Sequence, residues 1–138
     1  MDVEVTVNLG RMEQLTSVVS ERLDAVCRES AFAAERDAKS NCRVDTGACR
    51  ASIYTVNSRG SGYANAEAEA TSLNPKAKMT GEATRKHSIE ALVSVGVDYG
   101  VWLEFGTSRM KRSYPFLIPA IDAQRSVFLD ACAAVMRP

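Results

Sequence analysis

With 138 residues, 46% apolar and 25% charged, the chain has the balance of an ordinary globular protein and the length of one domain. It is long enough to bury a core without disulfide or metal staples, which argues against wholesale disorder. Lys plus Arg (17) equals Asp plus Glu (17), so net charge gives no sign of a polyanionic partner, and no apolar run approaches the roughly 18 residues of a membrane span.

In chain order, Val3, Val5, Val7 and Leu9 alternate with polar residues and predict a strand with one buried face, ended by Gly10. From Arg11 to about Ala38 the period changes: Met12, Leu15, Val19, Leu23 and Val26 recur at helical spacing, a helix long enough to imply an exposed flank or a partner. Val44 to Gly47 reads as a turn, with Gly47 free to take positive φ. Arg50 to Asn57 reads as a strand, and Ser58 to Gly62 as a loop tip. Tyr63 to Ala70 alternates small apolar and polar residues and suits a strand, although Ala and Glu are also good helix formers.

Thr71 to Ser88 holds almost no large apolar residue and predicts a long mobile loop at about 71–88, of the kind that orders on assembly. Ile89, Ala91, Val93, Val95 and Val97 predict a further strand. Tyr99 to Phe105 suits one or two helical turns stopped by Gly106, and a basic loop runs on to Ser113. Pro119 suits the first position of a last helix carrying Ala120, Gln124, Val127, Phe128, Ala131 and Val135. The class expected is α+β: a small antiparallel sheet packed against a long N-terminal helix and a C-terminal helix, in a single domain spanning 1–138.

Cys27, Cys42, Cys49 and Cys132 have no metal-ligand spacing, and His87 is the only imidazole. No metal or cofactor is expected. The N-terminus lacks a basic segment leading into an apolar run, so no secretory leader is expected either, and the thiols should be free in a reducing cytosol. Residues 1–69 carry 8 bases and 11 acids, and residues 70–138 carry 9 bases and 6 acids. The excess lies in two clusters, Lys76, Lys78, Arg85 and Lys86, then Arg109, Lys111 and Arg112.

Two segments carry more than local structure. The first is Val44-Asp45-Thr46-Gly47-Ala48 followed by Arg50-Ala51-Ser52-Ile53. The second is Tyr99 to Thr107, with Trp102, Glu104, Phe105 and Gly106, running on to Pro115-Phe116-Leu117 and Pro119-Ala120. Together they resemble the neck or tail-completion (head–tail joining) proteins of siphophages, in which a helix leads to a valine-aspartate-threonine-glycine turn and a strand. In that family a later strand leads to a glutamate-phenylalanine-glycine-threonine segment and a proline-flanked start of the last helix. Order and spacing agree from about residue 10 to 135, apart from the stretch between Ile53 and Ile89; Cys49 stands where an aliphatic residue is usual and Gly100 where Ala is commoner.

The resemblance implies a non-catalytic virion protein that forms a homo-oligomeric ring, hexameric in preference to dodecameric, at the head–tail junction. Its partners would be connector or head-closure and tail-tube proteins, with genomic DNA passing through the ring and no membrane involved; assembly would take place in the host cytoplasm. The residues expected to build motif or interface are Asp45, Thr46, Gly47, Arg50, Trp102, Glu104, Phe105, Gly106, Thr107, Pro115, Phe116 and Pro119. Glu104 sits in an apolar context where a carboxylate needs a partner, and Arg50 or Arg109 would serve, within or between subunits; a solvated Glu at a helix end is the plainer alternative. Trp102, Phe105, Tyr114 and Phe116 divide between core and interface.

Two other classes are weighed. Asp45-Thr46-Gly47 is also the triplet of aspartic proteases, whose chemistry needs two carboxylates sharing a proton, which a homodimer of short, retroviral-type chains can supply. Here Arg43 stands where an apolar strand should lead into the triplet, and two long helices replace an almost all-β chain. Neither an activated Ser or Cys motif nor a phosphate-binding Gly-rich loop is present. A DNA-binding module is the third class: the basic clusters lack interleaved aromatics, so only non-specific phosphate contact, as in a ring lumen, is supported.

Overall fold

The computed structural model describes residues 9–137. Most of the strand expected at Val3 to Leu9 lies outside them, but Leu9 and Gly10 already belong to α1 (Leu9–Asn41), so Gly10 opens no break. The helix runs to Asn41, through the polar Lys39-Ser40-Asn41 and past the Ala38 expected, and Cys42 N–H still bonds Ala38 O at 2.9 Å.

After the turn at 43–47 comes α2 (Ala48–Ala51), then β1 (Ile53–Asn57), β2 (Gly60–Ser61) and α3 (Tyr63–Leu73). Two expectations are corrected. Arg50 and Ala51 are helical, and the strand starts only at Ile53, because Ala51 and Ser52 amides close turns onto Gly47 O and Ala48 O at 2.9 Å each. Tyr63–Leu73 is a helix and not a strand: its buried residues, Ala66 and Ala70, are four apart, so the spacing that matters is one helical turn. Its Ala- and Glu-rich composition favours the same outcome.

Residues 74–91 have no helix or strand but are tied to the sheet. Met79 bridges Val97, Thr80 N–H bonds Gly96 O at 2.8 Å, and Ala83 N–H bonds the Tyr54 hydroxyl at 2.8 Å. β3 (Leu92–Val95) is shorter than the alternation from Ile89 suggests; Ile89 is exposed, and Glu90 turns its carboxylate back onto the amides of Lys86 (2.6 Å) and His87 (3.0 Å). α4 (Gly100–Phe105) and α5 (Leu117–Met136) complete the chain. Gly106 ends α4 at φ 80, as expected. Pro119 is the third residue of α5 and not its first, still inside the turn whose amides have no partner within the helix.

The sheet is antiparallel in the order β2-β1-β3, with Ile53 opposite Val95 and Val56 opposite Leu92. Both faces of β1 are covered, and all five of its residues are buried. Ile53 packs in the core beneath α1 and α5, and Thr55 donates its hydroxyl to Glu35 of α1 at 2.5 Å. Tyr54 and Val56 face the other way, onto Ala66 of α3 and the loop at Ala83. The fold is thus a small antiparallel sheet against a long N-terminal helix and a C-terminal helix.

α1 and α5 run antiparallel. Asn41 reaches Phe116 O (3.5 Å), Gln124 donates to Asp37 (2.7 Å), and Cys27 lies beside Cys132. At 1.5 Å per residue α1 is about 50 Å long and α5 about 30 Å. The N-terminal part of α1 therefore projects beyond its partner, and Glu13 to Val18 are all exposed, Leu15 at 61%. The exposed flank implied by the helix length is present.

Candidate functional site

The two motif segments, some fifty residues apart, meet at one end of the helix pair. In the first, Gly47 adopts φ 86, and a side chain there would be strained. Thr46 Oγ1 accepts the Ala48 amide at 3.3 Å, and Thr46 and Tyr99 line one cleft, with side chains close enough to interact. Asp45 and Arg50 are exposed. Burial pushes the Tyr99 phenol above its ordinary range, with the Thr46 side chain pulling the other way.

A cleft of ≈ 580 Å3 lies between the segments, lined among others by Arg43, Val44, Thr46, Tyr99, Leu103 and Tyr114. Two guanidinium groups lie against the Tyr114 ring, Arg43 at 4.4 Å and Arg112 at 5.1 Å from its centroid. Hydrogen bonds from Arg112 and then Arg43 hold its phenol below the ordinary tyrosine range. The sequence reading missed this cluster, because Arg43 and Tyr114 are distant in sequence and only the packing of the turn after α1 near the 107–116 segment joins them.

The centre of the second segment is Glu104, 7% exposed. Its Oε2 accepts the amides of Phe116 (2.8 Å) and Leu117 (2.9 Å), and its Oε1 that of Ile118 (2.8 Å). These are the first amides of α5, which have no acceptor within the helix. The residue at the start of α5 is Phe116, which has no side-chain oxygen, so a carboxylate from α4 does the capping, aided by the positive end of the helix dipole. Within the subunit, Glu104 forms no ion pair with Arg50 or Arg109, and it is not solvated. The latch within one subunit and the solvated helix end are both corrected: the burial is balanced by backbone donors.

The aromatic group divides sharply. Phe116 is 1% exposed and belongs to the core, and Tyr114 is half-buried. Trp102 is 55% exposed and Phe105 68%, and Val101, four residues before Phe105, shares their side of α4 at 52%. Gly106 N–H bonds Trp102 O at 2.7 Å, and Thr107 O accepts Met110 N–H at 3.0 Å, so the bend after α4 is fixed. Pro115 and Pro119 are exposed.

Of the basic residues, Lys76, Lys78, Lys86, Arg109, Lys111 and Arg112 are exposed and enter no ion pair among the described residues. Arg85 differs: its guanidinium donates to the carbonyls of His87, Ser88 and Glu90 at 2.9–3.4 Å and organises its own loop.

Asp45 is exposed, in a turn between α1 and α2, and not at the end of an apolar strand such as leads into the triplet of a retroviral-type protease. All four cysteines are free thiols. Cys42 and Cys49 are buried in the same core cluster, where Cys42 Sγ donates to Arg43 O at 3.6 Å; the interaction between the two thiols pulls Cys42 down and, with burial, pushes Cys49 far up. That pairing also went unread in the sequence, although a helix end and a short helix joined by a tight turn bring positions seven apart together. Among the described residues no group of three or more His, Cys, Asp or Glu could hold a metal ion, and no helix is long and apolar enough to cross a membrane.

No family model, curated protein or solved structure matches the chain.

Proposed function

We propose that the protein is a structural, non-catalytic virion subunit of a tailed bacteriophage. Copies form a closed ring, a hexamer in preference to a dodecamer, at the head–tail junction, where the ring joins the capsid connector to the tail and leaves a path for DNA. The motif resemblance supplies the family. The observation that carries the reading is the exposed stripe of Val101, Trp102 and Phe105 on a helix whose far side is anchored by Glu104. An apolar surface held that rigidly fits protein–protein contact better than catalysis. Head-to-tail contacts that close are how small identical subunits make rings.

The test is reconstitution: the purified protein mixed with isolated connector-bearing heads or tails, followed by sedimentation and labelling of the junction. Specific retention at the neck or tail end supports the reading; failure to bind either particle contradicts it. A peptide-library digestion with Asp45→Asn as control addresses the protease alternative, for which no cleavage is expected.

A second reading concerns DNA. Six exposed cations outside any ion pair favour non-specific phosphate contact where loops 76–86 and 109–112 face a lumen. Binding to random duplex DNA that weakens steeply with salt would support it; salt-independent or absent binding by the assembled ring would remove it.

A further inference from the structure

β3 (Leu92–Val95) is an edge strand. Among the described residues its only strand neighbour is β1, and Gly96 N–H, just past its end, bonds Ser52 O at 2.9 Å. Main-chain groups alternate in direction along a strand, so Leu92 and Ser94 address β1, opposite Val56 and Tyr54, while the N–H and C=O groups of Val93 and Val95 point outward. Exposed edges are usually blunted by a charge, a proline or a bulge. Leu92-Val93-Ser94-Val95 carries neither charge nor proline. Beside this edge runs an apolar groove of ≈ 480 Å3, where Ala91 and Val93 meet Ala31 and Ala34 of α1 and Ile121 and Phe128 of α5.

An open edge beside an apolar groove fits a strand with one apolar face. The chain carries such a pattern ahead of α1, outside the described residues: Val3, Val5 and Val7 alternate with Asp2, Glu4, Thr6 and Asn8. The β3 of the same copy is out of its reach. Val93 stands opposite Thr55, whose hydroxyl bonds Glu35, and the stretch of α1 from Leu9 to Glu35 is about 39 Å long. Residues 1–8 span at most about 29 Å when fully extended. A neighbouring copy has no such limit.

The local chemistry matches. Directly opposed residues of paired strands share a face, so Val3, Val5 and Val7 opposite Val95, Val93 and Ala91 would carry the apolar row across the groove. Asp2 and Glu4 would then lie on the other face, which the segment around Ala83 covers. Residues 74–91 hold four bases and two acids, and one of those acids, Glu90, is already taken by the amides of Lys86 and His87. Arg125, the one charged residue lining the groove, is held by Asp122 at 3.3 Å, and residues 1–8 contain no Lys or Arg to oppose it.

We propose that residues 2–8 of one copy add to the free edge of β3 in the next as an antiparallel strand, with Val3, Val5 and Val7 filling the α1–α5–β3 groove. A copy that gives its strand to one neighbour receives another's, which is the head-to-tail geometry of a ring. This deepens the ring reading above and rests on it.

Amide exchange reads the contact residue by residue. In the dilute subunit Val93 and Val95 should exchange quickly and Ser94 slowly; in the species assembled by concentration or on purified tails all three should be slow, Val93 and Val95 by about a hundredfold over the subunit. The chain lacking residues 1–8 should keep its helical circular dichroism and fail to assemble. Excess peptide of residues 1–9 should restore slow exchange at its Val93 and Val95. Val5→Glu should weaken self-association about tenfold or more, whereas Thr6→Ser, on the opposite face, should leave it unchanged. Assembly by the shortened chain, or an assembly in which Val93 and Val95 still exchange quickly, overturns the strand contact while leaving the ring standing. Slow exchange at both in the dilute monomer, or only on binding another virion protein, overturns it equally. A closed dimer with both amides slow keeps the strand contact and removes the ring. A subunit that stays solitary under every condition removes both.

Discussion

The buried carboxylate of Glu104 accepts the buried amide of Phe116 at 2.8 Å, and the same group takes the next two amides of α5. One side chain thus fixes the angle between α4 and the last helix, and with it the direction in which Trp102 and Phe105 point.

Replacing Glu104 tests that anchor. Glu104→Gln keeps one oxygen but sets an amide N–H2 against a backbone donor, which should cost about 1–3 kcal/mol. Glu104→Ala leaves all three amides without their acceptor and should cost about 2–4 kcal/mol. Urea unfolding monitored by circular dichroism measures both. Loss below about 0.5 kcal/mol for Glu104→Ala would mean that water replaces the cap freely.

Gly47 tests the turn of the first motif. Its φ of 86 makes Gly47→Ala a strained substitution, expected to cost about 1–2 kcal/mol, although Leu73 Cδ1 at 3.4 Å would leave room for the added methyl. Equal stability of the two proteins in denaturant would show that the turn relaxes to negative φ.

Asp24 gives a pH dependence. Its Oδ2 accepts the Ser58 hydroxyl at 2.6 Å and Arg28 Nε at 3.2 Å. The Ser58 bond chiefly, then Arg28, holds the carboxyl below its ordinary 3.8, against an opposing effect of burial. A carboxyl depressed on folding contributes stability that is full above its unfolded value and lost as pH falls through its folded one. The stability difference between the native protein and Ser58→Ala should therefore be constant near neutrality and shrink below about pH 4. A difference that grows on acidification would contradict the assignment.

Tyr114 gives a spectroscopic one. In an ultraviolet titration its phenol should ionise below 10, while burial delays Tyr99 and Tyr63. Arg43→Ala should move the earliest phase upward, and an unchanged first phase would place Tyr114 outside the guanidinium pair.

The segment between α3 and β3 is open to amide exchange. Thr80 and Ala83 donate to Gly96 O and the Tyr54 hydroxyl, so their amides should exchange more slowly than those of the neighbouring exposed residues. Tyr54→Phe should release Ala83 selectively. Uniform fast exchange from 76 to 88 would restore the mobile loop that composition suggests.

The architecture was largely legible in the residues: long periodic stretches marked α1 and α5, and Gly47 and Gly106 marked turns that do take positive φ. The failures share a cause. At Tyr63–Ala70 an alternation of small and polar residues mimicked a strand, yet Ala alternation carries little burial information, and local helix preference decided the outcome. At Glu104 the need for a partner was readable but its identity was not, since capping rules look three residues along the chain and this cap spans 12 to 14. The missing signal was negative: Tyr114-Pro115-Phe116 offers α5 no side-chain acceptor at its start, so an acid had to come from elsewhere.

The central claim, a subunit built to contact copies of itself, is tested most directly by the mass of the assembled species. Analytical ultracentrifugation of the 15.0 kDa chain, alone over a wide concentration range and then with purified tails or connectors, should reveal a closed species of fixed stoichiometry, six copies before twelve. A 15.0 kDa monomer at every concentration and beside every virion component would contradict the account.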